Sequence, residues 1–178
     1  MKIHIISIFP ESFESYFSSS IIWRASEKWL FSIELHKLNN FSEDKFKRVD
    51  NNAYGMHGQV ISAEPLSKAI EYIFNDVWSK IPVIYMSPSW DLLTQEKIEN
   101  YYEELNGEFI IICGHYEWID ERIIDMYVDY KISIGEYVLS SWELSASVFL
   151  DALIRHIPGV LWNIESLNED SFSKRFDR

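Results

Sequence analysis

Two short apolar runs, Phe109–Cys113 and Lys131–Ile134, each stop at a glycine and give way to a polar turn and then a helix signal. This stretch, Phe109 to Leu144, constrains the fold more than any other. The first run ends at Gly114, and the turn His115-Tyr116-Glu117-Trp118 follows. Asp120 reads as a helix N-cap, since its carboxylate can accept free backbone N–H groups ahead of Ile123, Ile124 and Met126. The second run breaks at Gly135 and leads into a helix near Glu143. Two glycine-bearing strand ends so close together predict a ligand seat at the carboxyl edge of a parallel sheet.

The rest of the chain alternates in the same way. Lys2–Phe9 is a predicted strand, and Phe13, Tyr16 and Phe17 recur at helical spacing. A short helix over Ile22–Lys28 and a strand over Phe31–Leu35 come next. Leu38 to Val60 reads as one long polar loop, whose length marks it as mobile or functional. Helices are predicted over Ala63–Trp78, Thr94–Leu105 and Glu143–His156, with a strand over Pro82–Met86. Strands alternating with helices give an α/β fold, a mostly parallel sheet flanked by helices on both faces.

At 178 residues the chain makes one domain with a real core. No apolar run nears the ~20 residues that span a bilayer, and Met1-Lys2 leads straight into a strand pattern, so no membrane partner and no secretory signal are expected. The single cysteine, Cys113, rules out an internal disulfide, and a cytoplasmic location fits. A net charge of −12 argues against nucleic-acid binding by the whole surface. Local basic clusters remain, at Lys45, Lys47 and Arg48 and at Lys174, Arg175 and Arg178. The five histidines show no metal-ligand spacing, so no metal ligands are assigned.

Six motifs carry a resemblance: ISIFPESF at the start, YMSP at Tyr85–Pro88, CGHYEWIDER, SIGEYVLSSWEL, IPGVL at Ile157–Leu161 and EDSF at Glu169–Phe172. In this order and spacing the chain resembles the bacterial tRNA (guanine-N1)-methyltransferases, the TrmD family of knotted SPOUT enzymes. The resemblance implies a SPOUT-type α/β knot (a deep trefoil) and a homodimer with shared active sites. It implies methyl transfer from S-adenosylmethionine to N1 of the guanosine 3′-adjacent to the tRNA anticodon. It also implies a division into a catalytic domain, 1–162, and an interdomain linker, 163–178, that stops before the family's C-terminal tRNA-binding domain.

By that resemblance three loops hold the cofactor: Tyr85, Met86, Ser87 and Pro88; Gly114, Tyr116 and Glu117; and Ser133, Ile134, Gly135, Tyr137 and Leu139, with Trp142 just beyond. Asp170 matches the family's catalytic aspartate, and Arg155 an arginine that supports it. Asp50, Tyr54 and Gly55 fall in the substrate loop, which here is one residue shorter and poorer in glycine than the family's. Ser141 and Ser145 replace a family glycine and proline. A Mg2+ requirement is compatible with the resemblance, although no carboxylate cluster in the sequence marks a site. Two other readings stay open: a knotted enzyme that methylates another RNA, and a catalytically inactive dimeric RNA- or nucleotide-binding domain.

Seven tryptophans stand beside only six glycines. Trp90, Trp118, Trp142 and Trp162 occupy family glycine positions, the family favours glycine at Trp23 and Trp29, and Trp78 lies in a variable loop. Counted as glycine, the seven bring the glycine share from about 3% to the usual ~7%. The sequence thus favours UGA codons decoded as glycine over true tryptophans serving as base-stacking platforms. Indoles at Trp118 and Trp142 are expected to crowd the adenosine of the cofactor.

Overall fold

β-Branched runs build the sheet, and apolar stripes at helical spacing cover it. The computed structural model describes residues 1–52, 59–105, 107–115 and 118–162. Its elements in chain order are β1 (Lys2–Ser7), α1 (Glu14–Phe17), α2 (Ser20–Glu27), β2 (Ser32–Lys37), β3 (Asp50–Asn52), β4 (Gln59–Ile61) and α3 (Ala63–Asp76). Then come β5 (Val83–Leu92), α4 (Gln95–Glu104), β6 (Glu108–Ile112), β7 (Trp118–Ile119), α5 (Glu121–Tyr127), β8 (Tyr130–Ser133) and α6 (Trp142–Ile154). Five strands form one sheet in the order β2-β1-β6-β5-β8, with every pairing parallel.

The central strands are apolar on both sides, as a parallel sheet between two helical layers requires. Ile3, Ile5, Ile84, Met86, Phe109 and Ile111 face α2, α4 and α6, where they meet Ile98, Phe149, Leu150 and Leu153. Ile6, Val83, Tyr85, Ile110 and Ile112 face α3 and α5, against Leu66, Ile70, Ile73 and Ile123. The predicted cap forms, Asp120 Oδ1 accepting the Arg122 N–H at 3.0 Å, and Thr94, at the predicted start of the preceding helix, also caps, its Oγ1 accepting the Lys97 N–H at 3.3 Å.

Two expectations need correction. The predicted loop Leu38–Val60 contains structure: β3 and β4 pair antiparallel, and β4 pairs in parallel with β7, giving a second sheet of three strands. Strands of two or three residues carry no readable periodicity. In addition, β5 runs on to Leu92, past the predicted end at Met86.

Helices α2 and α3 both end in a Schellman motif, in which the N–H beyond the cap reaches back to the carbonyl five residues earlier. Leu30 donates to the Ala25 carbonyl at 3.2 Å, and Ser79 to that of Phe74 at 3.2 Å. The residue that turns each chain is a tryptophan in the left-handed region, Trp29 at φ 59° and Trp78 at φ 57°. Both indoles are almost wholly exposed, at 88% and 93%.

Candidate functional site

The carboxyl ends of β5, β6 and β8 come together because these strands are adjacent. β5 passes from the pairing Met86↔Ile132 to Asp91↔Ile132, so Ser87–Trp90 bulge out of the ladder. Ser133 fixes that bulge to the next loop. Its Oγ lies 3.1 Å from the Pro88 carbonyl and 3.0 Å from the Gly135 carbonyl, either of which can accept its proton, and it accepts the Gly135 N–H at 3.2 Å. The Leu93 N–H adds a 2.7 Å bond to the Ser133 carbonyl.

Gly114, after β6, closes the group. A Cβ there would stand 3.2 Å from Trp142 Cδ1 and 3.2 Å from Tyr85 Cε2, so a side chain in this loop would need those two rings to shift by a few tenths of an ångström. Tyr85 and Met86 are core residues, buried on opposite faces of the sheet, and only their backbone can reach a ligand. Burial pushes the Tyr85 hydroxyl up to about 12, although a hydrogen bond from the Ile119 backbone works the other way. Ser87 Oγ is buried and has no hydrogen-bond partner among the described residues. An unpaired buried hydroxyl costs about 1–3 kcal/mol. A ligand with polar groups at this edge would satisfy it, so the residues present fit a nucleoside-bearing cofactor.

Tyr137 is exposed, with its hydroxyl 3.3 Å from the Ile134 carbonyl, and Leu139 is partly buried. Trp142 begins α6 and is buried at 8% exposure, filling the space beside Gly114. Trp118 instead pairs with Val60 in the small sheet and is half-exposed. Tyr116 and Glu117 lie outside the described residues.

One polar group here was overlooked in the sequence. Glu143, the second residue of α6, is buried; its carboxylate accepts from Ser7 Oγ at 2.5 Å and from Ser141 Oγ at 2.7 Å. Ser7 Oγ in turn accepts the Phe9 N–H at 2.8 Å. Glu143 thereby ties the end of β1 to the start of α6, where the helix dipole favours an anion. Burial, with a smaller contribution from the Glu143 charge, pushes the Cys113 thiol well up. The only prior signal for Glu143 was its place inside the SWEL motif.

Of the expected substrate-loop residues, Asp50 lies on the small sheet, at the start of β3. Asp50 lines a polar cleft of about 460 Å³ together with Arg48, Asn51, Gln59 and Arg122. Arg48 bonds Asp44 at 3.0 Å and Arg122 bonds Asp120 at 2.7 Å, so the cleft's two guanidinium groups are charge-balanced. Tyr54 and Gly55 lie outside the described residues, as does Asp170. Arg155 caps the carboxyl end of α6 and is partly buried.

Comparison with known proteins bears on this arrangement. Residues 1–177 match the family described as tRNA (Guanine-1)-methyltransferase TrmD. The tRNA (guanine-N(1)-)-methyltransferase of Borrelia garinii subsp. bavariensis is 44% identical over 176 residues, 98% of this chain and 71% of its own length. That of Chlamydia abortus is 43% identical over 171 residues, 96% of this chain but only 47% of its own length. The crystal structure of tRNA (m1G37) methyltransferase from Aquifex aeolicus superposes with a TM-score of 0.82 at 30% identity, covering 92% of this chain and 72% of that one. Among the described residues no helix is long and apolar enough to cross a membrane.

Proposed function

Since the chain belongs to the TrmD family of tRNA (guanine-1)-methyltransferases, we propose that it transfers a methyl group from S-adenosylmethionine to N1 of the guanosine 3′-adjacent to the tRNA anticodon. The observation that carries the reading is the junction of three strand ends, cross-tied by Ser133, with the buried Ser87 hydroxyl left to pair. When bound, S-adenosylmethionine supplies an activated methyl group on a positively charged sulfur. The backbone of Tyr85–Pro88, Gly114 and Ile134–Gly135 holds the nucleoside end.

Guanine N1 carries a proton that must leave as the new N–CH3 bond forms. Asp170 takes that proton, and Arg155 offsets the negative charge that builds on O6. An aspartate starts near pKa ~3.9, so it needs either burial in the complex or the Arg155 charge to serve as base. Glu117 serves the ribose or methionine end, with Tyr116 in the same cofactor loop, and Asp50, Tyr54 and Gly55 belong to the substrate loop. The site is shared between two subunits of a homodimer threaded as a trefoil knot, in the cytoplasm, with residues 163–178 as the linker. A Mg2+ requirement rests on resemblance alone. The one three-residue cluster of potential metal ligands among the described residues, His4, Glu34 and His36, lies toward the opposite edge of the sheet.

The test is methylation of a tRNA transcript, with N1-methylguanosine read by mass spectrometry. Asp170→Ala should abolish turnover while leaving cofactor affinity unchanged. Retained turnover would refute the base role, and no methylation by a chain with glycine at the seven tryptophan positions would refute the activity. One observation favours a second reading for a chain that truly carries tryptophan: the Trp142 indole is packed against Gly114, where the cofactor would need space. Such a chain is a weak cofactor binder. Titrating S-adenosylmethionine against it and against Trp118→Gly/Trp142→Gly separates the two, and equal affinities would remove the steric argument.

A further inference from the structure

At the flank of the sheet away from the cofactor loops, two buried histidines meet. His4 on β1 stands opposite Glu34 on β2, and His36 lies two residues further along β2 on the same face. His4 Nδ1 and His36 Nε2 are 2.9 Å apart, and the Glu34 carboxylate lies 3.8 Å from each. Both imidazoles are within the core, at 0% and 7% exposure. We propose that His4, His36 and Glu34 bind a divalent transition-metal ion of the zinc type, pinning β2 to β1.

The geometry argues for this on three counts. A cation set between the two nitrogens and the carboxylate would stand about 2 Å from each, the length of zinc bonds to imidazole and carboxylate. Behind the first ligand, His4 Nε2 is 2.8 Å from Glu108 Oε1. A ligating histidine is held in this way, with its outer N–H given to a carboxylate so that the inner nitrogen keeps its lone pair for the metal. The charge is also short of cations. Lys2 Nζ is shared among Glu34 at 3.2 Å, Glu108 at 3.2 Å and Asp76 at 3.9 Å, so one ammonium faces three carboxylates. With neutral imidazoles the cluster carries two excess negative charges, which one divalent ion balances. Two imidazoles and a carboxylate suit zinc and its neighbours better than magnesium or calcium. In the metal-free chain the neutral His36 gives its Nε2–H to His4 Nδ1; for Nε2 to bind a metal that proton shifts to His36 Nδ1, the other tautomer of the same neutral ring.

The site lies toward the sheet edge opposite the cofactor loops, so it acts on stability and not on methyl transfer, and it stands independently of the proposed function. The test uses the full chain without a polyhistidine tag, stripped of metal by a chelator. Zinc titrated by calorimetry should bind at one per chain and raise the unfolding temperature. His36→Gln should abolish both effects, and Glu108→Gln should weaken binding about 10–100-fold. Cobalt(II) in place of zinc should give the visible bands of a four- or five-coordinate site in the wild type alone. Equal zinc affinity in wild type and His36→Gln, or no saturable binding by folded wild type, overturns the proposal. Where His36→Gln does not fold, Glu108→Gln decides, and an affinity equal to wild type overturns it.

Discussion

Replacing Trp29 and Trp78 with glycine should make the protein more stable, although the change removes the largest side chain in the genetic code. Both residues hold a left-handed backbone, at φ 59° and 57°, to close the Schellman motifs of α2 and α3. That conformation costs a non-glycine residue about 1–2 kcal/mol through the clash of Cβ with the following carbonyl. Glycine removes the clash but loses about 0.4–1 kcal/mol to its greater freedom when unfolded. At 88% and 93% exposure the indoles give up almost no buried area. The net gain is about 0.5–1 kcal/mol at each position, or about 1–2 for the pair, since the two lie on separate helices. At about 2–4 °C per kcal/mol for this size, the double variant should melt about 2–8 °C higher in calorimetry. Trp23, inside α2, is the internal control: glycine there should lower stability by about 0.5 kcal/mol or more. A double variant that melts at or below the parent temperature would refute the argument from backbone strain. Peptide mass spectrometry of the protein from its native host asks the related question directly, and glycine at 29 and 78 would establish recoding.

Three further outcomes follow from the site and its surroundings. Ser133→Ala removes the hydroxyl that joins the Pro88 and Gly135 loops; it should cost about 1 kcal/mol in urea unfolding and weaken S-adenosylmethionine binding by more than it weakens the fold. Glu143→Ala leaves the Ser7 and Ser141 hydroxyls without their buried acceptor and should cost about 2–3 kcal/mol, with the midpoint falling and the m-value unchanged. Burial holds the His36 imidazole below its usual range, against the opposing pull of Glu34 and with smaller effects of His4, Lys2 and Asp76. Because the unfolded chain takes up that proton first, stability should be full above pH ~6.5 and fall as pH drops toward the depressed folded value. His36→Gln should flatten that slope in chelator-treated protein, and an unchanged slope would assign it to other groups.

Much of this fold could be read from local signals because those signals were strong. The run FIII with a glycine after it marked β6 to within a residue, and Thr94 and Asp120 announced their helices by side-chain chemistry that acts over three residues. What escaped was whatever depends on partners far along the chain. β3, β4 and β7 are too short to show alternation and exist only by pairing with one another. The histidine pair was invisible because His4 and His36 are 32 residues apart and meet through the β1/β2 register. At the site, the strand ends at Gly114 and Gly135 were legible as turns. Motif matching, however, could not tell that Tyr85 and Met86 turn their side chains into the core and leave the backbone to face a ligand. Glu143 was passed over for a similar reason: an acid early in a helix usually faces water, and only the arrival of Ser7 from β1 makes it a buried tie.

The phenol of Tyr85 gives the two sheets a common mechanical member. Its ring lies against Gly114 at one end, and its oxygen lies near enough to the Ile119 backbone of β7 to feel it electrostatically at the other. β7 is the strand that joins the rim of the Asp50 cleft to the loop after β6. A nucleoside pressing on Gly114 therefore presses on a ring that reaches toward the strand leading into the cleft rim at Asp120. Occupancy in one recess should be felt in the other with no moving lid between them.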